Sequence, residues 1–335
     1  MRVAIAMDKF RGTLTAGQAC EAVSEGVRQA GHDAVSVPMS DGGEGFVGAL
    51  GGATMTTTVT GPQGLPVDAA WRLDGRWAVI ESAAAAGLAL MVASAPRDPL
   101  AATSRGVGEL IDAALAAGAR DIWVGIGGTG CTDGGSGALE ALGSRLPAGT
   151  RTLPAALTVL ADVTTRFTDA ARVFGPQKGA SPEEVDILTA RLGQLASDYA
   201  ERFGRRIDLL DGAGAGGGLA GGLAAIGGRI RSGFDAVAEV TALENIVAAA
   251  DLVITGEGML DSASLQGKVV GGVLRLAAGA GVPALVLAGV VAEDMPAVSG
   301  ASVRSLTAEF GRRRAWDDAA AGLTELVAAH LAGGR

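Results

Sequence analysis

The stretch Leu252-Val253-Ile254-Thr255-Gly256-Glu257-Gly258-Met259-Leu260-Asp261-Ser262-Ala263-Ser264-Leu265-Gln266-Gly267-Lys268 joins a short apolar run to a polar, glycine-rich segment. Leu252-Val253-Ile254 reads as a buried strand. Thr255 to Lys268 then reads as a loop carrying three glycines, two carboxylates, several hydroxyls and one lysine. A plain connector rarely needs both charge signs on backbone this free to approach a ligand. The mixture suits a polyanion, with amides and lysine for phosphate and carboxylates for a hard cation or a proton. Taken alone, the segment reads better as a solvated turn.

Four other segments have the same character. Val3-Ala4-Ile5-Ala6 leads into Asp8-Lys9-Phe10-Arg11-Gly12-Thr13, and Ala34-Val35-Ser36-Val37 into Ser40-Asp41-Gly42-Gly43-Glu44-Gly45. Ile122-Trp123-Val124 leads into Gly125-Ile126-Gly127-Gly128-Thr129-Gly130-Cys131-Thr132-Asp133-Gly134-Gly135, and Phe174-Gly175-Pro176-Gln177-Lys178-Gly179-Ala180-Ser181 precedes a long helical pattern. Repeated strand-then-glycine loops are how a ligand crevice at the carboxyl ends of parallel strands looks in sequence.

The chain of 335 residues is a natural size for two domains. It is 48% hydrophobic but only 4% aromatic, so its core must be built from Ala, Val, Leu and Ile. Its 53 glycines are about twice the usual share, and many sit in the loops just named. A formal net charge of -9 argues against a nucleic-acid or membrane-surface partner. Two cysteines, Cys20 and Cys131, are too few for a disulfide framework and fit a reducing compartment. Cys131 reads as a small loop-filling residue rather than a nucleophile. No signal peptide is visible, and the apolar stretch Ser82 to Pro96 is too short for the roughly 20 residues a membrane span needs. A cytoplasmic protein is expected, as a monomer or homodimer.

Val3 to Ala6, a helix over Ala16 to Ala30 and Ala34 to Val37 make a β-α-β start. Leu252 to Thr255, Ala284 to Leu287 and Val303 to Leu306 add strands alternating with helices near the end. Between these lie the close-spaced strands Thr54 to Val59, Val67 to Leu73 and Trp77 to Ile80, broken by turn residues. The predicted fold is α/β with two domains: a doubly wound, mainly parallel, Rossmann- or flavodoxin-like sheet, residues 1–55 plus 235–335, interrupted by a mixed α/β insert, residues 56–234. The active site is expected in the cleft between them. The tract Asp211-Gly212-Ala213-Gly214-Ala215-Gly216-Gly217-Gly218 reads as a hinge, a ligand loop or a plain linker.

The five segments, in this order, resemble the bacterial glycerate kinase family that is unrelated to ribokinase-like sugar kinases, and the resemblance spans nearly the whole chain. It implies transfer of the γ-phosphoryl group of ATP to glycerate with Mg²⁺, 2-phosphoglycerate being favoured over 3-phosphoglycerate as product. The chain departs from the family pattern at Lys9 and Arg11, where Ser and Lys are usual, so positive charge is kept in a new shape. It also has Ala161-Asp162-Val163-Thr164-Thr165-Arg166 where the family carries a second carboxylate, and its segment Gly143 to Pro154 is short.

No Gly-x-x-x-x-Gly-Lys-Ser/Thr motif occurs, so the chain is not a P-loop enzyme. In phosphoryl transfer the protein supplies positioned charge and a group that takes the acceptor's proton. Asp133 reads either as the general base or as a helix N-cap, and Asp8 and Lys268 complete the expected catalytic set. Lys9, Arg11, Asp41 and Glu44 are candidates for substrate binding, Arg11 gripping the glycerate carboxylate bidentately. The amides of Gly127, Gly128, Thr129 and Gly130 form an expected phosphate nest. Gly256, Gly258, Gly267 and Lys178 are further phosphate candidates. Asp41, Glu257 and Asp261 are expected around the metal, since His32 and His330 are far apart in sequence. The alternatives are an NAD(P)-dependent oxidoreductase using Gly125 to Gly130 or Gly212 to Gly217 as a Gly-x-Gly-x-x-Gly fingerprint, or a non-enzymatic small-ligand sensor.

Overall fold

A computed structural model describes residues 1–91, 98–146 and 149–333. The end of the apolar stretch Ser82 to Pro96 and part of the short segment Gly143 to Pro154 lie outside the described residues. The strands, in chain order, are β1 (Arg2–Met7), β2 (Asp33–Ser36), β3 (Met55–Thr60), β4 (Pro66–Asp74), β5 (Trp77–Glu81), β6 (Asp121–Gly125), β7 (Ala156–Leu160), β8 (Arg229–Arg231), β9 (Leu252–Leu260), β10 (Ala284–Val291) and β11 (Ala301–Ser305). Chain contacts divide them between two compact units, one of Met1–Asp41, Gly48–Gly51 and Gly233–Arg335, the other of Gly42–Val47 and Gly52–Ser232.

The first unit is an α/β layer structure around a five-stranded sheet of order β11-β10-β9-β1-β2, in which every pairing is parallel. β1 is buried along nearly its whole length, as a strand covered on both faces must be. Val3, Ile5, Met7, Leu285 and Leu287 pack with Val23, Val27, Leu323 and Val327 from the helices Ala16–Gln29 and Ala319–Gly333. Val286 and Ala288 pack with Val270 of the helix Val269–Ala280 in a separate cluster. Each fully buried Val or Leu here stabilises the fold by about 1.5–3 kcal/mol. Helix Ala16–Gln29 begins with a capping box in which the Thr15 side chain accepts from the Gln18 amide and the Gln18 side chain accepts from the Thr15 amide.

The order of this sheet reverses between β1 and β9. β1 leads by a crossover to β2 on one side, whereas β9 lies on its other side and leads on to β10. Open parallel sheets bind ligands at the carboxyl ends of the strands flanking such a reversal. The residues there are Asp8, just after β1, and Glu257, on β9.

The second unit holds a six-stranded mixed sheet of order β3-β4-β5-β6-β7-β8. β3, β4 and β5 form the antiparallel meander read from the turn residues, and β5 to β8 run parallel. Trp71 of β4 is buried and its indole N–H donates to Thr57 Oγ1 at 3.0 Å, so its polar edge is satisfied inside the core. The helix Pro182–Phe203 starts with proline and a Ser181–Glu184 capping box and stops at Gly204, whose φ of 71° is the left-handed C-cap conformation. Among the described residues no helix is long and apolar enough to cross a membrane.

The structure changes the reading of the segment after Ile254. β9 runs through to Leu260, so Thr255 to Leu260 is strand and not loop. Gly256 lies opposite Met7 and Leu287, and a Cβ on it would stand 1.9 Å from the Leu287 carbonyl oxygen. A Cβ on Gly258 would lie 2.9 Å from the Arg11 amide nitrogen. These glycines admit neighbouring backbone to the strand, a use of strand glycine that local pattern does not separate from loop freedom.

Candidate active site

In the first unit, Asp8 is buried and its Oδ1 accepts the Lys9 amide at 2.7 Å, with the Lys9 ammonium 3.7 Å away. Burial pushes its carboxyl up to about 6; Lys9 and Lys268 pull it down and the neighbouring Asp41 pushes it up. Glu257 is half-buried, and its Oε1 is enclosed without a hydrogen-bond partner. Burial pushes Glu257 up to about 7; Ser264 and Lys268 lower it, while Asp8 and Asp261 raise it. Asp8, Asp41, Glu257, Asp261 and Lys268 thus share one electrostatic neighbourhood. A raised carboxyl pair with an enclosed, unsatisfied oxygen is suited to receive a proton or a cation.

Lys268 precedes the helix Val269–Ala280, and Gly267 before it adopts a φ of 77°. The helix therefore opens with a cation at its amide-rich end, an arrangement fit for phosphate. Asp261 Oδ1 accepts the Ser264 amide at 3.0 Å and so caps the short turn Ser262–Leu265. The Asp261 carboxylate is held by that turn.

In the second unit, Asp133 is a structural hub. Its Oδ2 accepts from Ser104 N and Ser104 Oγ, both at 2.8 Å, and from Gly137 N at 3.2 Å, while Oδ1 accepts Gly135 N at 3.1 Å. These bonds tie the start of the helix Ser136–Ala141 to the start of the helix Arg105–Ala116. Of the two readings of Asp133, this geometry carries the capping one. Both carboxylate oxygens are engaged by backbone amides or the Ser104 hydroxyl.

Lys178 is buried rather than projecting toward solvent. Its ammonium donates to the Cys131 carbonyl and, at 3.3 Å, to Thr129 Oγ1, and burial pulls its proton affinity down. It holds the glycine loop in shape. Cys131 is fully buried, and burial and Asp133 both push its thiol upward, which removes it as a nucleophile. Tyr199 completes the support, its hydroxyl donating to Gly134 O at 3.2 Å.

The run from Asp211 to Gly218 is neither hinge nor linker. Gly134 N donates to Gly217 O at 3.1 Å, and Cβ atoms on Gly217 and Gly218 would stand 2.2 Å from Cys131 O and 2.8 Å from Gly134 Cα. The tract is the packed floor beneath the loop Gly127 to Gly135. Gly217→Ala, at a φ of 71°, is expected to cost about 2–4 kcal/mol. Urea denaturation checks this: the midpoint should fall with the slope unchanged.

Among the expected phosphate ligands, Gly130 is removed because its amide donates to Ala86 O at 2.8 Å. Gly256 lies inside the sheet ladder, and the Gly258 amide donates to Lys9 O at 3.3 Å. The amides of Gly127, Gly128 and Thr129 keep no protein acceptor among the described residues. Lys9 is half-buried, while Arg11 and Glu44 are exposed. Asp41, Glu257 and Asp261 do not form a ready-made cage: among the described residues, no three Asp, Glu, His or Cys side chains converge as metal ligands.

Glu81, at the end of β5, was not found by sequence reading. Its Oε1 accepts the Val47 amide at 2.7 Å, tethering the segment after Gly42-Gly43-Glu44-Gly45 to the second sheet. Gly125 and Gly127 admit Gly42 and Gly43 to the same sheet end, for their Cβ atoms would fall 2.3 Å from Gly42 O and 2.7 Å from Gly43 Cα. A strand-end carboxylate was the available signal. A wide depression of about 860 Å³ lies instead at the amino ends of β5, β6 and β7, beside Trp77, Arg120, Asp121 and Ala156, where none of the five glycine-rich segments contributes.

Neither dinucleotide reading survives this geometry. After Gly125 to Gly130 the next helix starts only at Ser136, and Gly212 to Gly217 follows the short turn Ile207–Leu209 rather than a strand.

The sequence matches the model of the glycerate kinase family over residues 3–163 and 148–332. It is 40% identical to a glycerate kinase of Bacillus subtilis, over 89% of this chain and 87% of the relative. It is 38% identical to the glycerate 2-kinase of Escherichia coli, again over 89% and 87%. The crystal structure of a candidate glycerate kinase 2 from Salmonella typhimurium LT2 superposes with a TM-score of 0.81 at 36% identity, covering 99% of both chains. With the family model matched along nearly its whole length and relatives about 40% identical, the chain belongs to the glycerate kinase family.

Proposed function

We propose that the protein transfers the γ-phosphoryl group of ATP to D-glycerate, with 2-phosphoglycerate as the product. The observation that carries the reading is the Asp8–Glu257 pair beside Lys268 at the reversal of strand order. The relative from Escherichia coli, named a glycerate 2-kinase, supports the choice of product.

In this reading Asp8 is the general base. The acceptor hydroxyl oxygen forms a bond to the γ-phosphorus, the bond from that phosphorus to the β,γ-bridging oxygen breaks, and the hydroxyl proton passes to Asp8. Burial holds the Asp8 carboxyl near the pH at which such a transfer is efficient. Lys268 and the first amides of its helix hold the phosphates of ATP. Asp133 and Lys178 act by positioning, the first by fixing the helix after the glycine loop and the second by fixing the loop itself.

The donor set fits Mg²⁺. Glu257 offers an enclosed, unpartnered oxygen with Asp8 and Asp261 as charged neighbours, and Asp41 neighbours Asp8. Mg²⁺ commonly binds through one or two carboxylates plus substrate phosphates, so no three-carboxylate cage is required. When bound, it neutralises charge on the transferring phosphoryl group.

The test is a steady-state assay of ADP release with ATP and a panel of D-glycerate, L-glycerate, lactate and glycerol. D-Glycerate is expected to give the highest kcat/KM. Faster turnover of another hydroxy acid would keep the chemistry and replace the substrate.

A further inference from the structure

We propose that Arg312 joins Arg11 in a carboxylate-binding subsite of the first unit, which recognises the acid end of a small hydroxy acid. A cavity of about 70 Å³ lies beside the carboxyl ends of β9 and β10, lined in part by Arg11, Arg312, Thr307, Val290 and Trp316. Neither guanidinium has an ion pair or hydrogen bond among the described residues, whereas the neighbouring Arg313 and Arg314 pair with Asp317 and Glu325. Two cations facing one cavity without a counter-ion favour an anion there.

Size and chemistry narrow the anion. A space of this volume is several times smaller than the roughly 300–1,000 Å³ of sites for drug-sized ligands, so a nucleotide does not fit inside it. A guanidinium presents a planar fork that matches a carboxylate. The walls Phe10, Val290 and Trp316 are apolar, and the Thr307 hydroxyl is already donated to Gly289 O at 2.7 Å. A short carbon chain ending in a carboxylate suits such a surface better than a fully hydrated inorganic anion.

The subsite and the reacting groups are neighbours in sequence. Gly258 lines the cavity and directly follows Glu257, and Arg11 comes three residues after Asp8. The assignment of the ligand as substrate rests on the glycerate kinase reading, while the binding of a small carboxylate does not. Arg312 gave no signal in sequence, because it belongs to a basic run, Arg312-Arg313-Arg314, that reads as a solvated helix face.

The test combines kinetics with direct binding. Arg312→Ala and Arg11→Ala are each expected to raise KM for D-glycerate about 10- to 100-fold, with KM for ATP changed less than twofold. Arg312→Lys, which keeps charge but loses the fork, should fall between. Calorimetric titration of wild type and the three variants with D-glycerate and with lactate, without nucleotide, should show the same order. Wild-type turnover of D-glycerate with an unchanged glycerate KM in Arg312→Ala would overturn the subsite and leave the kinase reading intact. Carboxylate binding that Arg312→Ala weakens, in a protein that does not phosphorylate glycerate, would support the subsite and overturn that reading. Wild-type protein that binds neither acid, or binds them as tightly after Arg312→Ala, overturns the subsite. Thermal melting of each variant confirms that the fold is kept.

Discussion

Asp8→Asn is expected to lower kcat by about 100- to 10,000-fold and, in the metal-free protein at pH 8, to raise stability by roughly 2–3 kcal/mol. The two effects have one cause. The Asp8 carboxyl is pushed from 3.8 to about 6 mainly by burial, so the folded protein holds a proton that the unfolded chain has released. Below about pH 4 both states carry the proton, and this side chain costs nothing by that route. As pH rises from about 4 to about 6 only the unfolded state ionises freely, and stability falls. Above pH 6 the full cost of the buried charge is present. Asparagine still accepts the Lys9 amide but carries no charge, so its gain should appear at pH 8 and vanish below pH 4. Urea melts at the two pH values, with kcat measured on the same preparation, check the prediction. Equal stability of wild type and variant at pH 8 would show that Asp8 is not under strain.

Lys268→Met should lower kcat/KM for ATP by about 100- to 1,000-fold, the usual scale for removing one positioned group that meets developing phosphoryl charge. KM for glycerate should change little. The same substitution removes a cation that lowers both Asp8 and Glu257, so both carboxyls should move further up. Lys268→Arg keeps the charge and should recover part of the rate, less than all because a planar fork replaces a compact point charge. Initial rates over a matrix of ATP and glycerate concentrations separate the two Michaelis constants. A loss confined to glycerate would move Lys268 away from the phosphates.

Much of the fold was legible because parallel strands buried on both faces read as continuous apolar runs. Val3 to Ala6, Ala284 to Leu287 and Ile122 to Val124 all fall on strands, and the turn residues Gly61-Pro62-Gln63-Gly64 and Asp74-Gly75-Arg76 mark the meander. The end of β9 was not legible. Gly256, Glu257 and Gly258 carry the local signature of a loop, and only the approach of Leu287 and Phe10, distant in sequence, makes them strand. The run Gly212 to Gly218 failed for the same reason: its glycines answer to Cys131 and Gly134, roughly eighty residues earlier.

The site divides along similar lines. Asp8, Asp41, Glu257, Asp261 and Lys268 were singled out from sequence as charges in polar segments that begin near buried strands, and the structure gathers them into one electrostatic neighbourhood. Asp133 and Lys178 were legible as important, yet their roles were not, because a carboxylate that caps and one that takes protons look alike in sequence. Their hydrogen bonds to Ser104, Gly137, Thr129 and Cys131 support the positioning roles. Glu81 and Arg312 went unseen, one closing an ordinary strand and the other opening a short basic helix.

The central claim is tested most directly by phosphorus NMR of the product formed from ATP, Mg²⁺ and D-glycerate. The account predicts stoichiometric ADP and a single new phosphomonoester whose proton coupling identifies attachment at the C2 oxygen. Attachment at the C3 oxygen would correct the regiochemistry and leave the kinase in place. No glycerate-dependent phosphomonoester, from folded protein supplied with ATP and Mg²⁺, would contradict the account.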